Sequence, residues 1–187
     1  MSKQDNRVDA QNILSSLSQF KGPAPVHLWN PPYCGEIDIR IASDGRWYHE
    51  GSLIRRPALM QLFASVLRRE EDGSYCLVTP AERVSIQVDD CPFLATMVDS
   101  EGEGPQRRLV FTLNTAEQVL ADSEHPLRFE TIKGEPHPVL TVRSGLEALL
   151  SRNVFYQLVE FAEVEKAQGE EHLVLYSAGS KFDLGSV

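Results

Sequence analysis

Ile37-Asp38-Ile39-Arg40-Ile41-Ala42-Ser43-Asp44-Gly45-Arg46-Trp47-Tyr48-His49 is the stretch that decides the fold. Its first five residues alternate apolar and polar, the two-residue period of a strand with one buried face. Asp44-Gly45 supplies a hairpin turn, because glycine adopts positive φ without a Cβ clash. Trp47-Tyr48-His49 then runs back as the partner strand. A helical run from Pro57 to Arg69 follows, opening on proline and closing on two arginines, as the helix dipole favours. Tyr75-Cys76-Leu77-Val78 reads as a further strand, ending at Thr79-Pro80-Ala81.

The same order of signals returns later in the chain. Leu127-Arg128-Phe129 leads to a turn at Lys133-Gly134 and a return strand Val139-Leu140-Thr141-Val142, then a helical run from near Ser151 to Ala162 and a strand His172-Leu173-Val174-Leu175. The stripe Leu59, Leu62, Phe63, Val66 matches Phe155, Leu158, Val159, Ala162 at an offset of 96, and Tyr75–Val78 matches His172–Leu175 at 97. The first strands are offset by 88, so the second copy carries a longer connection before its helix. This pattern predicts an internal duplication.

Around the copies, Asp9 is placed to cap a short helix bearing Ile13, Leu14, Leu17 and Phe20, stopped by Lys21-Gly22-Pro23. Pro23 to Pro32 reads as an extended, packed arm. Glu82 to Leu120 reads as a meander of antiparallel strands, with a polar Gly-rich loop at Ser100 to Gln106. Gly179 to Val187 reads as a tail that is ordered only if Phe182 and Leu184 find a groove. The expected fold is α+β and mostly antiparallel: an N-terminal helix over 1–22, a first α+β subdomain over 23–81, and a second, β-rich subdomain over 82–187. About six or seven strands with one packed helix suggest that the C-terminal half is a curled sheet or open barrel, which removes exposed edges.

At 187 residues such a chain buries roughly 70% of its unfolded surface. The net charge of −9 argues against sequence-independent nucleic-acid binding and against docking on anionic lipid. Of the arginine doublets, Arg55-Arg56 is a candidate positive patch, while Arg68-Arg69 and Arg107-Arg108 fit helix ends and hairpin tips. Cys34, Cys76 and Cys91 form no CxxC pair, and the N-terminus opens no apolar signal region, so a cytoplasmic location with free thiols is expected. No apolar run reaches 18 residues, so no membrane span is expected.

Several of these motifs together resemble a known bacterial family. Cys34-Gly35-Glu36-Ile37-Asp38-Ile39-Arg40-Ile41, Leu62-Phe63-Ala64-Ser65-Val66-Leu67-Arg68-Arg69, Leu77-Val78-Thr79-Pro80-Ala81-Glu82, His125-Pro126-Leu127-Arg128, Val142-Arg143-Ser144-Gly145-Leu146-Glu147-Ala148-Leu149 and Val154-Phe155-Tyr156-Gln157-Leu158-Val159-Glu160 are similar to the family called domain of unknown function 1285. The resemblance runs from about Pro31 to Tyr176. It implies duplicated domains, a C-terminal half superficially pleckstrin-homology-like, a ligand site for a nucleotide-like molecule at the domain interface, and a signalling role. It brings no catalytic activity.

The residues themselves announce no reaction. Five histidines are scattered without HxH or HExxH spacing, the cysteines lack an activating context, and phosphate-loop fingerprints are absent, so neither a metal nor another cofactor is expected. What remains is cationic and aromatic. Arg143 ends a strand, Arg152 opens the last helix, and Tyr156 lies one turn on. Arg55 and Arg56 precede the equivalent helix. Arginine at a helix N-terminus suits an anion, since backbone N–H donors add to the guanidinium. Against this stands pairing with Glu147, Glu160 or Asp38. Trp47 and His125 suit stacking on a base, although Trp47 on a hairpin strand more often belongs to the core. The leading expectation is a non-enzymatic sensor, with Arg143, Arg152 and Tyr156 on an anionic ligand in the inter-domain cleft and Arg55, Arg56, Trp47 and His125 on its other wall. The alternative is a protein-interaction module taking a partner peptide through a sheet edge, by strand addition, or through an apolar groove at the Pro-rich arm.

Overall fold

The protein is described by a computed structural model over residues 10–17, 23–167 and 169–186. The chain divides into two units, Met1–Asp89 and Asp90–Val187. In the first, helix α1 (Ala10–Leu17) buries Ala10, Ile13 and Leu17. The cap expected at Asp9 and the contact expected from Phe20 lie outside the described residues. The proline-rich arm is pinned by hydrogen bonds rather than by its own pairing. Ala24 N–H donates to Ser65 O at 2.9 Å, and Arg68 Nη1 donates to Val26 O and Trp29 O at 2.9 and 2.8 Å.

Strand β1 (Tyr33–Ile41) buries Ile37, Ile39 and Ile41 and exposes the polar residues between them, as its alternation requires. The turn at Gly45, φ 79°, returns it to β2 (Trp47–His49), with Ile41 opposite Trp47. A short β3 (Ser52–Leu53) leads into α2 (Pro57–Ser65), whose proline occupies the first turn where no intrahelical donor is needed. The helix stops at Ser65, four residues before the expected end. Val66 and Leu67 are buried, and Leu67–Arg69 forms β4, antiparallel to β5 (Tyr75–Val78). Sheet pairing and burial of those apolar side chains override the helical reading of this segment.

Strand β6 (Arg83–Val88) pairs antiparallel with β5 and parallel with β1, giving the order β3-β2-β1-β6-β5-β4. The strand expected to open the second subdomain therefore completes the first sheet. The boundary falls at Asp89/Asp90 rather than near Ala81.

The second unit begins with β7 (Phe93–Glu101), β8 (Arg108–Leu113) and β9 (Gln118–Leu120), an antiparallel meander as expected. Then come β10 (Leu127–Ile132), β11 (Glu135–Arg143) and β12 (Leu146–Leu150), with β12 parallel to β7, in the order β10-β11-β12-β7-β8-β9. Helix α3 (Arg152–Phe161) is followed by a three-stranded sheet of β13 (Glu163–Ala167), β14 (Glu170–Ser177) and β15 (Ser180–Ser186). The expected tail is thus a strand: Phe182 is buried opposite Leu175, because β14 offers it a ladder and an apolar face. The six-stranded sheet curls into a half-barrel. β10 neighbours β15, and the β14–β15 turn bonds to the start of β8 through Ala178 N–H to Arg107 O, 2.8 Å, and Leu109 N–H to Ser177 Oγ, 2.9 Å. Helix α3 packs on β7 and β14.

Both units contain the same run of three strands, a helix and three strands. α2 and α3 begin at Pro57 and Arg152, the next strands at Leu67 and Glu163, then at Tyr75 and Glu170, then at Arg83 and Ser180. The two domains are related, and β7–β9 are an addition to the second. The helices align one position tighter than the apolar stripe implied. Phe63 and Leu158, both fully buried, correspond, whereas Val159 faces solvent.

Candidate functional site

Of the residues read from the sequence, Arg152 and Tyr156 come together on one exposed surface. Ser151 caps α3, its Oγ accepting from Val154 N–H at 3.4 Å, and Val154 and Leu158 turn inward. The opposite side is left to Arg152, Tyr156 and Val159. Tyr156 is 59% exposed, a high figure for an aromatic ring, and its ring lies 6.4 Å from Phe155. Phe155 in turn meets Phe129 of β10 edge-on, centroids 6.1 Å apart. Among the described residues neither the Arg152 guanidinium nor the Tyr156 hydroxyl has a partner. A free guanidinium thus stands one helical turn from a cluster of three rings. Ring faces of this kind stack on a planar base, and a guanidinium at a helix start binds phosphate or carboxylate. Phe129 and Phe155 were not singled out from the sequence. Their alternation and helical spacing look like core positions, and only the meeting of β10 with α3 makes them part of a surface.

The remaining candidates are placed differently. Arg143 is spent structurally: its Nη1 donates to both carboxylate oxygens of Glu117, at 2.8 and 2.7 Å, and the guanidinium lies 5.2 Å from the Phe93 ring centre. Structural pairing therefore claims this arginine, with Glu117 as the partner rather than Glu147, Glu160 or Asp38. Glu147 pairs instead with Arg128. His125 is half-buried and shares Nδ1 with Asp122 Oδ1 at 2.9 Å. Burial alone raises the Asp122 carboxyl, but backbone and side-chain bonds from His125 and Glu124 bring it below its usual range. In the first unit Trp47 is 1% exposed and stacks on Phe63 at 6.3 Å, so no guest reaches its ring. Arg55 and Arg56 are exposed, just ahead of α2, with no side-chain partner among the described residues.

The first unit also carries a polar cavity of about 480 Å³, lined by Tyr33, Glu70, Asp72, Ser74, Cys76, Arg83 and Ser85. Glu70, only 16% exposed, bridges two arginines: Arg68 Nε donates to Oε1 and Arg83 Nη1 to Oε2, both at 2.6 Å. Burial pushes the Glu70 carboxyl up, but the bonds and charges of Arg68 and Arg83 outweigh it and hold it below its ordinary value. Arg83 lies over the Tyr33 ring at 5.8 Å, and its Nε is buried with no hydrogen-bond partner among the described residues. A buried orphan donor costs about 1–3 kcal/mol. Hydrogen bonds from the Ser74 hydroxyl and backbone N–H hold the Asp72 carboxyl low. Burial, then the Glu70 charge, pushes the Cys76 thiol up to about 11, so it stays protonated. Among the described residues no group of three or more His, Cys, Asp or Glu is placed to hold a metal, and no helix is long and apolar enough to cross a membrane.

Comparison with family models matches residues 24–91 to the N-terminal domain and residues 92–184 to the C-terminal domain of DUF1285, a domain and protein of unknown function. The chain belongs to the DUF1285 family. A DUF1285 crystal structure from Silicibacter pomeroyi DSS-3 is 45% identical, with a TM-score of 0.84 over 94% of this chain and 95% of that one. A second, from Shewanella baltica OS155, is 26% identical, with a TM-score of 0.50 over 65% of this chain and 90% of that one. No curated protein matches the chain. The family's two-domain division, at Cys91/Pro92, falls two residues from the division of the two units at Asp89/Asp90.

Proposed function

We propose that this DUF1285 protein is a non-enzymatic receptor for a small anionic, nucleotide-like ligand, acting as a sensor in bacterial signalling. The observation that carries this reading is Arg152, without a partner among the described residues, beside the exposed rings of Tyr156 and Phe129 and the half-buried Phe155 between them. Arg152, with the free N–H groups of the first turn of α3, takes the phosphate, and the rings take the base. Arg143 is left out, since Glu117 and Phe93 occupy it. Arg55 and Arg56, without side-chain partners among the described residues, supply a second cationic site in the first unit. Binding rather than catalysis fits the thiol chemistry, because a protonated, buried Cys76 is a poor nucleophile.

A thermal-shift screen of the full chain against nucleoside mono-, di- and triphosphates tests this. At least one nucleotide is expected to raise the melting temperature, and Arg152→Ala is expected to abolish that rise while leaving the unliganded melting point in place. A rise that survives Arg152→Ala refutes the contact. A second reading, peptide addition, rests on β13, an edge strand with exposed Val164. Its flanking Glu163, Glu165 and Lys166 are the charges that guard an edge against pairing, so it ranks behind.

A further inference from the structure

The cavity of the first unit is distinct from the α3 surface, and its unspent groups are of both signs. Arg40, on the same sheet, shows what a satisfied arginine looks like there: Nε and Nη2 grip both oxygens of Asp89, at 2.9 and 2.6 Å. Among the described residues the Arg83 side chain spends only Nη1, on Glu70; its Nε is buried without a partner, and the guanidinium lines the cavity. Asp72 is the counterpart. Its Oδ1 accepts from Ser74 N–H and Ser74 Oγ, at 2.9 and 2.6 Å, and Oδ2 has no partner among the described residues. The Tyr33 and Ser85 hydroxyls, 2.9 Å apart, consume one proton between them and leave the other to donate.

We propose that this cavity is a second binding site, for a compact amino-acid-like zwitterion, with the guest's carboxylate on Arg83 and its ammonium on Asp72. A simple anion meets repulsion from Asp72 and Glu70, and a simple cation meets Arg83 with Arg68 behind it. A guest carrying both charges satisfies each. The protonated Cys76 thiol adds no charge to the cavity, and its volume admits a small amino acid with solvent to spare.

The test is an amide-detected NMR titration of the full chain with glycine, β-alanine and 4-aminobutanoate, set against acetate, butanoate and ethylamine. At least one amino acid should give saturable shifts at Ser74, Cys76 and Ser85. The singly charged analogues should bind about tenfold or more weakly. Asp72→Asn keeps an acceptor for Ser74 on an exposed turn, so its fold is retained, and it should lose the binding, as should Arg83→Lys. Arg152→Ala should leave it unchanged, which separates this site from the nucleotide reading. Absence of saturable shifts with every amino acid, acetate binding as tightly, or unaltered binding in Asp72→Asn overturns the proposal.

Discussion

Glu70 sits between Arg68 and Arg83, so its removal strands two guanidinium groups at once. Glu70→Gln is expected to lower unfolding stability by about 2 kcal/mol, read by denaturant titration. Its folded pKa lies below the unfolded value, so the folded state binds its proton less tightly than the unfolded chain does. The stabilisation is therefore present above the unfolded carboxyl value of 4.5 and is lost as pH falls through the lower folded one. Stability measured across that acid window should fall less steeply in Glu70→Gln. Trp47→Ala, by contrast, empties the centre of a core and should cost about 3–5 kcal/mol. Of the two roles, only that of Glu70 was hidden beforehand. The burial of Trp47 was one of two readings its hairpin position allowed, and the Glu70–Arg83 pair spans a turn and a strand that sequence spacing does not bring together. Arg143 shows the same limit, since its partner Glu117 lies in the turn between β8 and β9.

Among the elements, α3 carries both a structural and a functional load, and they separate by side. Ser151→Ala removes the cap on Val154 N–H and should cost about 1 kcal/mol. Arg152→Ala should be close to neutral in the same thermal melt, because the side chain is exposed and has no partner among the described residues. The hairpin at Asp44-Gly45, the alternation of β1 and the proline start of α2 were legible because each is a local signal. The end of α2 was not. Arg68-Arg69 satisfies the rule for a helix C-terminus, yet Arg68 is held by Glu70 and by the carbonyls of Val26 and Trp29, all supplied by tertiary structure.

For the whole molecule, the repeated order of strands and helix was readable from apolar spacing, and its two copies are the two related domains. What escaped was how each copy closes. β6 pairs parallel with β1, and β15 neighbours β10, contacts between segments roughly fifty residues apart that leave no periodic trace. A chain truncated after Gly179 distinguishes a tail from a closing strand. Loss of β15 uncovers β14 and removes buried Phe182, so the cooperative melt of the second unit should be lost.

The most direct test of the receptor reading is amide chemical-shift mapping of the full chain with the nucleotide that gives the largest thermal shift. The account predicts saturable perturbations gathered at Ser151 to Tyr156 and at Phe129, absent in Arg152→Ala. Perturbations that avoid this surface, or none at saturating nucleotide, contradict it.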